Sequence, residues 1–314
     1  MELREKLELV KRNTAEIITE AEIEKLLSEK KSPAAYCGYE PSGEVHLGHL
    51  VTITKLLDLQ KAGFKVKVLL ADWHAWLNKK GDWQFIKENC KLWEKTFKKA
   101  GLEKAEFVLG SGFQQEKDYV KDVLVLAQHT TLNRATRAMQ EVARDLENAS
   151  VSQMIYPLMQ IADMKYLKVD AAQAGIEQRK IHMLARENLQ TIGCKTVSFV
   201  HTPLVNSLLG PGQKMSSSVP NSLISMRDSE QEISAKLKKA YCPEGVVENN
   251  PVLEIARLVV FPRVKEIKIE RPEKFGGNAS FADYAELEKA FAEKTLHPAD
   301  LKPAVATCLA KILK

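Results

Sequence analysis

Long apolar runs are missing from this sequence. The longest uninterrupted run of hydrophobic residues is five, Val123 to Ala127, whereas a membrane-spanning helix needs about 20. A membrane protein is therefore not expected. The N-terminus, MELREKLELVKRN, is charged throughout and has no apolar core of the kind that marks a secretory signal. Cysteine is scarce: the five stand at 37, 90, 194, 242 and 308. The count is odd and no pair has CxxC spacing, which argues against a disulfide framework or a zinc site and for a reducing, cytoplasmic setting. Low-complexity segments and fixed-period repeats are absent. The charge excess is small, +5 with a pI near 8.7. That fits a polyanionic partner without requiring one, and is far from a histone-like footprint.

What is present describes a globular chain. At 45% hydrophobic and 28% charged residues over 314 positions, wholesale disorder is excluded and about two domains are expected. Leu3 to Leu27 reads as two short amphipathic helices broken near Asn13-Thr14, and Pro33 ends helical character. Ala34 to Gly38 reads as a buried strand, Leu47 to Ala62 as a helix stopped by Gly63, and Val66 to Ala71 as a second strand. Trp83 to Ala100 reads as a basic amphipathic helix and Phe107 to Leu109 as a third strand. This alternation predicts a parallel sheet with helical crossovers. Residues from about Lys117 to Leu167 are helical in pattern, an insertion running into a core helix. Lys168 to Ala172, Ile176 to Leu189 and Thr196 to Val200 read as strand, helix and strand. Residues 206–222, rich in Gly, Ser, Pro and Asn, read as a mobile loop. From Ser229 on the pattern is helical, with loops near Pro243, Pro262, Pro272 and Gly276-Gly277. The expected class is α/β: a Rossmann-like parallel-sheet domain over 1–222 with a helical insertion at about 115–150, then a mainly α-helical domain over 223–314.

Four constellations carry chemistry. The first is PSGEVHLGH, Pro41 to His49, between a strand and a helix. A helix N-terminus presents unpaired N–H groups and favours anions. His46 and His49 share one helix face, and Gly48 between them would let a flat base approach. Taken alone, HxxH is better read as two ordinary histidines at a helix start. The second is Gly210-Pro211-Gly212-Gln213-Lys214-Met215-Ser216-Ser217-Ser218. It is not a Walker A loop, but a lysine and hydroxyls on a flexible loop suit phosphate charge in transit; a solvated polar loop is the plainer reading. The third is the helix Tyr156 to Leu167, where Tyr156, Gln160 and Asp163 form one polar stripe on an otherwise apolar cylinder. If buried, the stripe needs hydrogen-bond partners, and a small polar ligand would supply them; an exposed stripe on an amphipathic helix is the alternative. The fourth is Gln178-Arg179-Lys180, opening a helix at the C-terminal end of a strand, where open α/β sheets bind ligands; the ordinary polarity of a helix N-terminus is the alternative.

In this order the motifs resemble the class I aminoacyl-tRNA synthetases. HLGH is similar to the family's HIGH signature and KMSSS to its KMSKS signature. YCGYEPSGEVHLGH, LLADWHAWL, YPLMQIADMKYL, DAAQAGIEQRKIHMLARE, RPEKFGG and LHPADLK resemble the tyrosyl-tRNA synthetases of archaeal and eukaryotic type, from about Lys11 to the end. The resemblance implies activation of L-tyrosine by ATP, used as a substrate with Mg2+, and transfer of the tyrosyl group to tRNA(Tyr). No tightly bound cofactor or resident metal is implied. It places the phenol hydroxyl between Tyr36 and Asp163, and the head group against Tyr156, Gln160 and Gln178. Leu69, Ala71, His74, Phe113, Gln114 and Leu167 would line the ring. His46, Gly48, His49, Lys214 and Ser217 would hold ATP, with Glu177 at the ribose; His46, His49 and Lys214 would carry the catalysis. Arg137 and Arg179 would meet the tRNA acceptor end. Phe275, His297 and Asp300 would hold an anticodon base, making the C-terminal domain anticodon-binding. A homodimer through the insertion is implied too. Cys37, beside the site, is read as packing. The chain departs from the family pattern at Ala174, where glycine is usual, at Gly112, where relatives are often acidic, and at Asn133 and Thr136, where they are often basic.

Overall fold

The computed structural model describes residues 1–142, 148–215, 219 and 221–314, with Gln213 and Lys214 described by backbone only. It divides into two compact units. The first comprises Met1–Gly43 and Lys55–Pro203, the second Glu44–Thr54 and Leu204–Lys314.

The first unit begins with α1 (Leu3–Lys11), β1 (Glu16–Ile18) and α2 (Glu20–Glu29). Thr19 and Glu22 cap α2 reciprocally: the Thr19 hydroxyl accepts from the Glu22 N–H at 3.2 Å, and Glu22 Oε2 accepts from the Thr19 N–H at 3.2 Å. β2 (Ala34–Tyr39) follows. The long helix α3 (Leu47–Ala62) starts in the second unit and ends in the first, where Gly63, at φ +105°, closes it. Then come β3 (Lys65–Leu70), α4 (Asp72–Leu77), α5 (Trp83–Phe97) and β4 (Glu106–Leu109). The segment read as an insertion holds α6 (Lys117–Gln128) and α7 (Leu132–Met139), followed by the core helix α8 (Val151–Tyr166). β5 (Ala171–Gly175), α9 (Arg179–Asn188) and β6 (Ser198–Thr202) complete the unit.

The sheet order is β1-β6-β5-β2-β3-β4, parallel except for β1. The chain builds β2, β3 and β4 outward on one side, then returns to place β5 and β6 on the other. The order reverses between β2 and β5, so their C-terminal ends open a crevice there. Asp170 pins the other end of this pair: its carboxylate accepts from the Ala34 N–H at 2.9 Å, from Lys30 at 2.6 Å and from Lys195. Tyr36 lies beside Ala172 in register, and both face a core shared with Leu158, Ile161, Ala162 and Met164 of α8.

Three readings change. The N-terminal stretch is not wholly helical, because Glu16–Ile18 adds an antiparallel edge strand to β6; three residues are too short to show a period. The fifth strand runs 171–175 rather than 168–172. Lys168, at φ +53°, turns the chain out of α8, and the small residues AAQAG give little β-branched signal. In the second unit, part of the region read as a loop forms an antiparallel pair, β7 (Asn206–Ser207) with β8 (Gly210–Lys214). Beyond it stand α10 (Glu230–Lys239), α11 (Pro251–Ile255), β9 (Ile267–Ile269), β10 (Ala279–Phe281), α12 (Tyr284–Ala292) and α13 (Pro298–Leu313).

Lys55, 2% exposed, donates to the carbonyls of Leu9 at 3.2 Å, Val10 at 2.8 Å and Arg12, all at the end of α1. Arg12 in turn pairs with Asp58. Helix ends leave carbonyls without intrahelical partners, and this buried ammonium satisfies them. Lys55→Met should therefore destabilise the protein by about 2–3 kcal/mol, read as a lower midpoint in urea; an unchanged midpoint would refute the role.

Candidate functional site

At the C-terminal ends of β2 and β5 the polar stripe of α8 is buried. Asp163 is fully buried and Tyr156 is 6% exposed, while Gln160 is half-buried. Asp163 Oδ1 accepts from Gln114 Nε2 at 2.8 Å and lies 2.8 Å from the Tyr119 hydroxyl, which is also 3.0 Å from the Met159 carbonyl. Oδ2 has no hydrogen-bond partner; His74 Nε2, itself unpartnered and buried, stands 3.7 Å away. Gln114 Oε1 is a third buried atom without a partner. The Tyr36 hydroxyl, also buried, reaches the Gln160 carbonyl at 3.5 Å, a long bond. Orphaned polar atoms of this kind, clustered at a sheet crevice, mark a place built to be completed by a polar ligand.

The wall around them is apolar. Leu69, Ala71 and Leu167 are buried, and Phe113 packs against the same core. The His74 ring meets Tyr156 edge-on, centroids 4.6 Å apart. Burial sets the protonation states. It raises Asp163 to about 7, against the hydrogen bonds from Gln114 and Tyr119 that favour the carboxylate. It lowers His74 to about 4, so the ring is neutral. The phenols of Tyr36, Tyr119 and Tyr156 are held far above the ordinary tyrosine range by burial first and neighbouring carboxylates second. Cys37 is pushed up to about 12 by burial and is inert as a nucleophile. The network can accept a hydrogen bond from a neutral hydroxyl at the end of a flat ring.

Tyr119 escaped the sequence reading because it lies on α6, taken as insertion. The signal was there: Tyr119, Val123 and Leu126, all buried, fall at i, i+4 and i+7, so the tyrosine heads a core-facing stripe.

β5 ends in a turn, Ile176–Gln178, that carries Glu177 and Gln178, both half-buried. Glu177 Oε2 is buried without a hydrogen-bond partner. A Cβ at Gly175 would fall 2.1 Å from it, so this approach depends on glycine. Ala174 is buried in β5 and its carbonyl accepts from Thr202 Oγ1 at 3.3 Å. A side chain at Gly112 would meet open space. Arg179 is held by a bidentate pair with Glu16 at 2.7 and 2.9 Å, and Arg137 is exposed on α7.

The second unit holds the other two motifs. His46 N–H donates to His49 Nδ1 at 3.1 Å, and the Gly48 N–H donates to His46 Nδ1 at 3.1 Å. The rings lie 4.0 Å apart. A Cβ at residue 48 would come within 2.9 Å of His46 Cε1, so glycine lets the ring fold over the helix start. Burial, then His46, drives the His49 pKa well down, leaving it neutral. Residues 224–226 pair with this segment: Leu47 N–H donates to the Ile224 carbonyl at 3.1 Å and Met226 N–H to the Val45 carbonyl at 2.8 Å. Those residues directly follow the serine-rich loop, so one end of that loop is tied to the histidine motif. The Lys214 backbone ends β8, opposite Asn206; the Lys214 side chain and Ser217 lie outside the described residues.

Further along, Phe275 is 60% exposed with Lys274 Nζ 4.9 Å from its ring centre. His297 is exposed and caps α13, its Nδ1 accepting from the Ala299 N–H at 3.0 Å. Arg271, which the sequence reading left without a role, joins these pieces. It donates to the carbonyls of Gly277 and Thr295, each at 2.8 Å, and stands 3.5 Å from Asp300. One guanidinium thus brings the Phe275 turn and the start of α13 together.

The family model for class I tRNA synthetases (W and Y) matches residues 28–314. The chain belongs to that family of class I tRNA synthetases. Within it, the chain is 52% identical over 316 residues to a tyrosine–tRNA ligase of Archaeoglobus fulgidus, covering 100% of this chain and 97% of the other. It is 51% identical to the tyrosine–tRNA ligase of Methanosarcina mazei, covering 98% and 97%. The crystal structure of an Archaeoglobus fulgidus tyrosyl-tRNA synthetase complexed with L-tyrosine superposes with a TM-score of 0.96 over 99% of this chain and 98% of that one. No helix among the described residues is long and apolar enough to cross a membrane.

The elevated Asp163 pKa makes a signed prediction. Unfolded, an aspartate loses its proton near 3.9; folded, Asp163 keeps it to about 7. Between these values the folded state carries the extra proton, so this group's contribution to stability falls as pH rises from about 4 to 7. Asp163→Asn should remove that slope. Its stability advantage over the parent, measured by urea unfolding without ligand, should grow from pH 4 to pH 8. A constant difference across the range would contradict the assignment.

Proposed function

We propose that this chain is a tyrosine–tRNA ligase: it activates L-tyrosine with ATP and transfers the tyrosyl group to the 3′ end of tRNA(Tyr). The observation that carries the reading is the open Oδ2 of buried Asp163, facing His74 and set at the end of an apolar slot. A phenol both donates and accepts. Its proton would go to Asp163 Oδ2, and its oxygen would accept from Tyr36 in exchange for that residue's long bond to Gln160. Gln114 and Tyr119, both on Oδ1, orient the carboxylate. Tyr156, Gln160 and Gln178 would take the amino-acid head group, which leaves the carboxylate free to react.

In the first step that carboxylate attacks the α-phosphorus of ATP, which arrives with Mg2+ as substrate. The new carboxyl–phosphorus bond forms as the α–β bridging bond breaks, and pyrophosphate leaves with its electron pair. No protein nucleophile is needed, only alignment and neutralisation of charge. His46, Gly48 and His49, at a helix start, would bind ATP, and Lys214 and Ser217 its phosphates. Glu177 would reach the ribose. In the second step a hydroxyl of the terminal tRNA ribose takes the tyrosyl group and releases AMP. Arg137 and Arg179 would meet the acceptor end. Phe275, His297 and Asp300, gathered by Arg271, would hold an unstacked anticodon base by stacking and hydrogen bonding.

The reading includes a homodimer formed through the inserted helices, on which Val120, Leu124 and Leu132 are exposed apolar residues. The working place is the cytoplasm, in keeping with five free cysteines.

The test is ATP–pyrophosphate exchange driven by tyrosine. Lys214→Ala should cut the exchange rate by about a hundredfold or more while calorimetric tyrosine binding is retained, as for a contact made mainly in the transition state. An undiminished rate would remove Lys214 from the chemistry.

A further inference from the structure

Two arginine–carboxylate pairs strap the N-terminal segment to α9. Arg179 opens that helix and Arg186 lies seven residues on, so the two share a face. Arg186 donates to Glu22 of α2 from Nη1 and Nη2, both at 2.8 Å. That uses the outer edge of its guanidinium. Its side chain is 27% exposed, and the Ser198 hydroxyl donates to the same carboxylate at 3.2 Å. Arg179 meets Glu16 of β1 differently, from Nε at 2.7 Å and Nη2 at 2.9 Å. That uses the side edge. Three of the five guanidinium N–H groups remain, and two of them lie parallel along the outer edge. Nothing among the described residues accepts from them, and the Arg179 side chain is 46% exposed.

Glu16 is itself held from behind. It stands opposite His201 in the register of β1 and β6, so both side chains project from one face of the sheet. His201 Nδ1 lies 3.3 Å from Glu16 Oε2, out of line for a full hydrogen bond. On its other side, His201 Nε2 is 2.9 Å from His182 Nδ1, and both rings are buried. Burial lowers both imidazole pKa values, so the rings are neutral and one proton lies between them. Were that proton on His201, its Nδ1 lone pair would face the carboxylate. The His201 N–H therefore points at Glu16, and Nε2 accepts from His182. The bond from Arg179 is the main reason that the Glu16 carboxyl is held below its ordinary range, so it stays charged. We propose that Glu16 is a positioning residue for tRNA: it fixes the plane of the Arg179 guanidinium and presents its outer edge as a two-donor fork to paired acceptor atoms at the acceptor end. Such pairs occur on a guanine edge, at N7 and O6, and on a phosphate. The proposal rests on the reading of Arg179 as an acceptor-end residue, and Glu16 acts through Arg179 rather than by touching RNA.

The second arginine pair supplies the control. Aminoacylation kcat and KM for tRNA, with tyrosine-driven ATP–pyrophosphate exchange alongside, are measured for the parent, Glu16→Gln, Glu16→Asp, Arg179→Ala, the Glu16→Gln/Arg179→Ala double variant and Glu22→Gln. Glu16→Gln should lower kcat/KM for tRNA by about tenfold, a loss that exchange does not share. Glu16→Asp, which keeps the carboxylate, should recover part of it. In the Arg179→Ala background Glu16→Gln should add nothing. Glu22→Gln breaks the pair whose outer edge is already filled, and should charge tRNA as the parent does. Transcripts that differ in the terminal base pair separate the two sources of paired acceptors. A loss confined to one terminal pair identifies a base edge; an equal loss on every pair, with a shallower salt dependence, identifies a phosphate; each supports the fork. No loss in Glu16→Gln, a gain in tRNA charging, an equal loss in exchange, additivity with Arg179→Ala, or the same loss in Glu22→Gln would each overturn the proposal. If Glu16→Gln weakens charging but Arg179→Ala does not, the acceptor-end reading of Arg179 fails, and the proposal with it.

Discussion

A carboxylate taken out of water is costly unless its oxygens are satisfied. In this chain Asp163 is fully buried with two donors on one oxygen and none on the other. The arrangement around it follows from that constraint. Gln114 and Tyr119 come from a loop and a helix far from α8 in sequence, and their bonds to Oδ1 fix the carboxylate plane. His74 is neutral and stands opposite Oδ2 without closing it. The apolar residues beside them exclude water, which raises the value of any hydrogen bond a ligand brings. Burial accordingly raises Asp163 to about 7, and its Oδ2 is left without a hydrogen-bond partner.

The fold serves this arrangement by where it reverses. β2 and β5 are neighbours only because the chain returns across the sheet after β4. That return brings Tyr36, near the start of the chain, against a helix more than a hundred residues later. It also leaves the ends of both strands uncovered at one crevice. Tyr36 comes from within β2 and Glu177 and Gln178 from the turn that ends β5, while α8 sets its polar stripe against Tyr36. Asp170 holds the opposite end, joining the first residue of β2 to the residue before β5. Small residues in β5 allow close neighbours on both sides, and Gly175 admits the Glu177 carboxylate.

Much of this was legible in the sequence, and the parts that were not have physical reasons. The helix Leu47–Ala62 is bounded in the structure as read, because a glycine with positive φ ends it and a histidine motif begins it. The buried polar stripe of α8 follows from an apolar surface covering most of the helix. Edge strand β1 was invisible because three residues cannot show a period, and its pairing partner lies about 180 residues away. Tyr119 was missed because its contact with Asp163 depends on how the inserted helices pack, which no local pattern records. Arg271 lies inside the RPEKFGG motif, but its role depends on which hydrogen bonds point where, and only a folded chain sets those directions.

The account stands on Asp163 and Tyr36 requiring a phenol. The most direct measurement is the ratio of kcat/KM for tyrosine and phenylalanine in ATP–pyrophosphate exchange with the unaltered protein. Phenylalanine would leave Asp163 Oδ2 and the Tyr36 hydroxyl desolvated without partners. The account predicts discrimination of about 10⁴-fold or more, an effect for which tyrosine-activating synthetases are themselves the standard example at about 10⁵. A ratio below about 200-fold, the range a purely apolar pocket can reach, would contradict it.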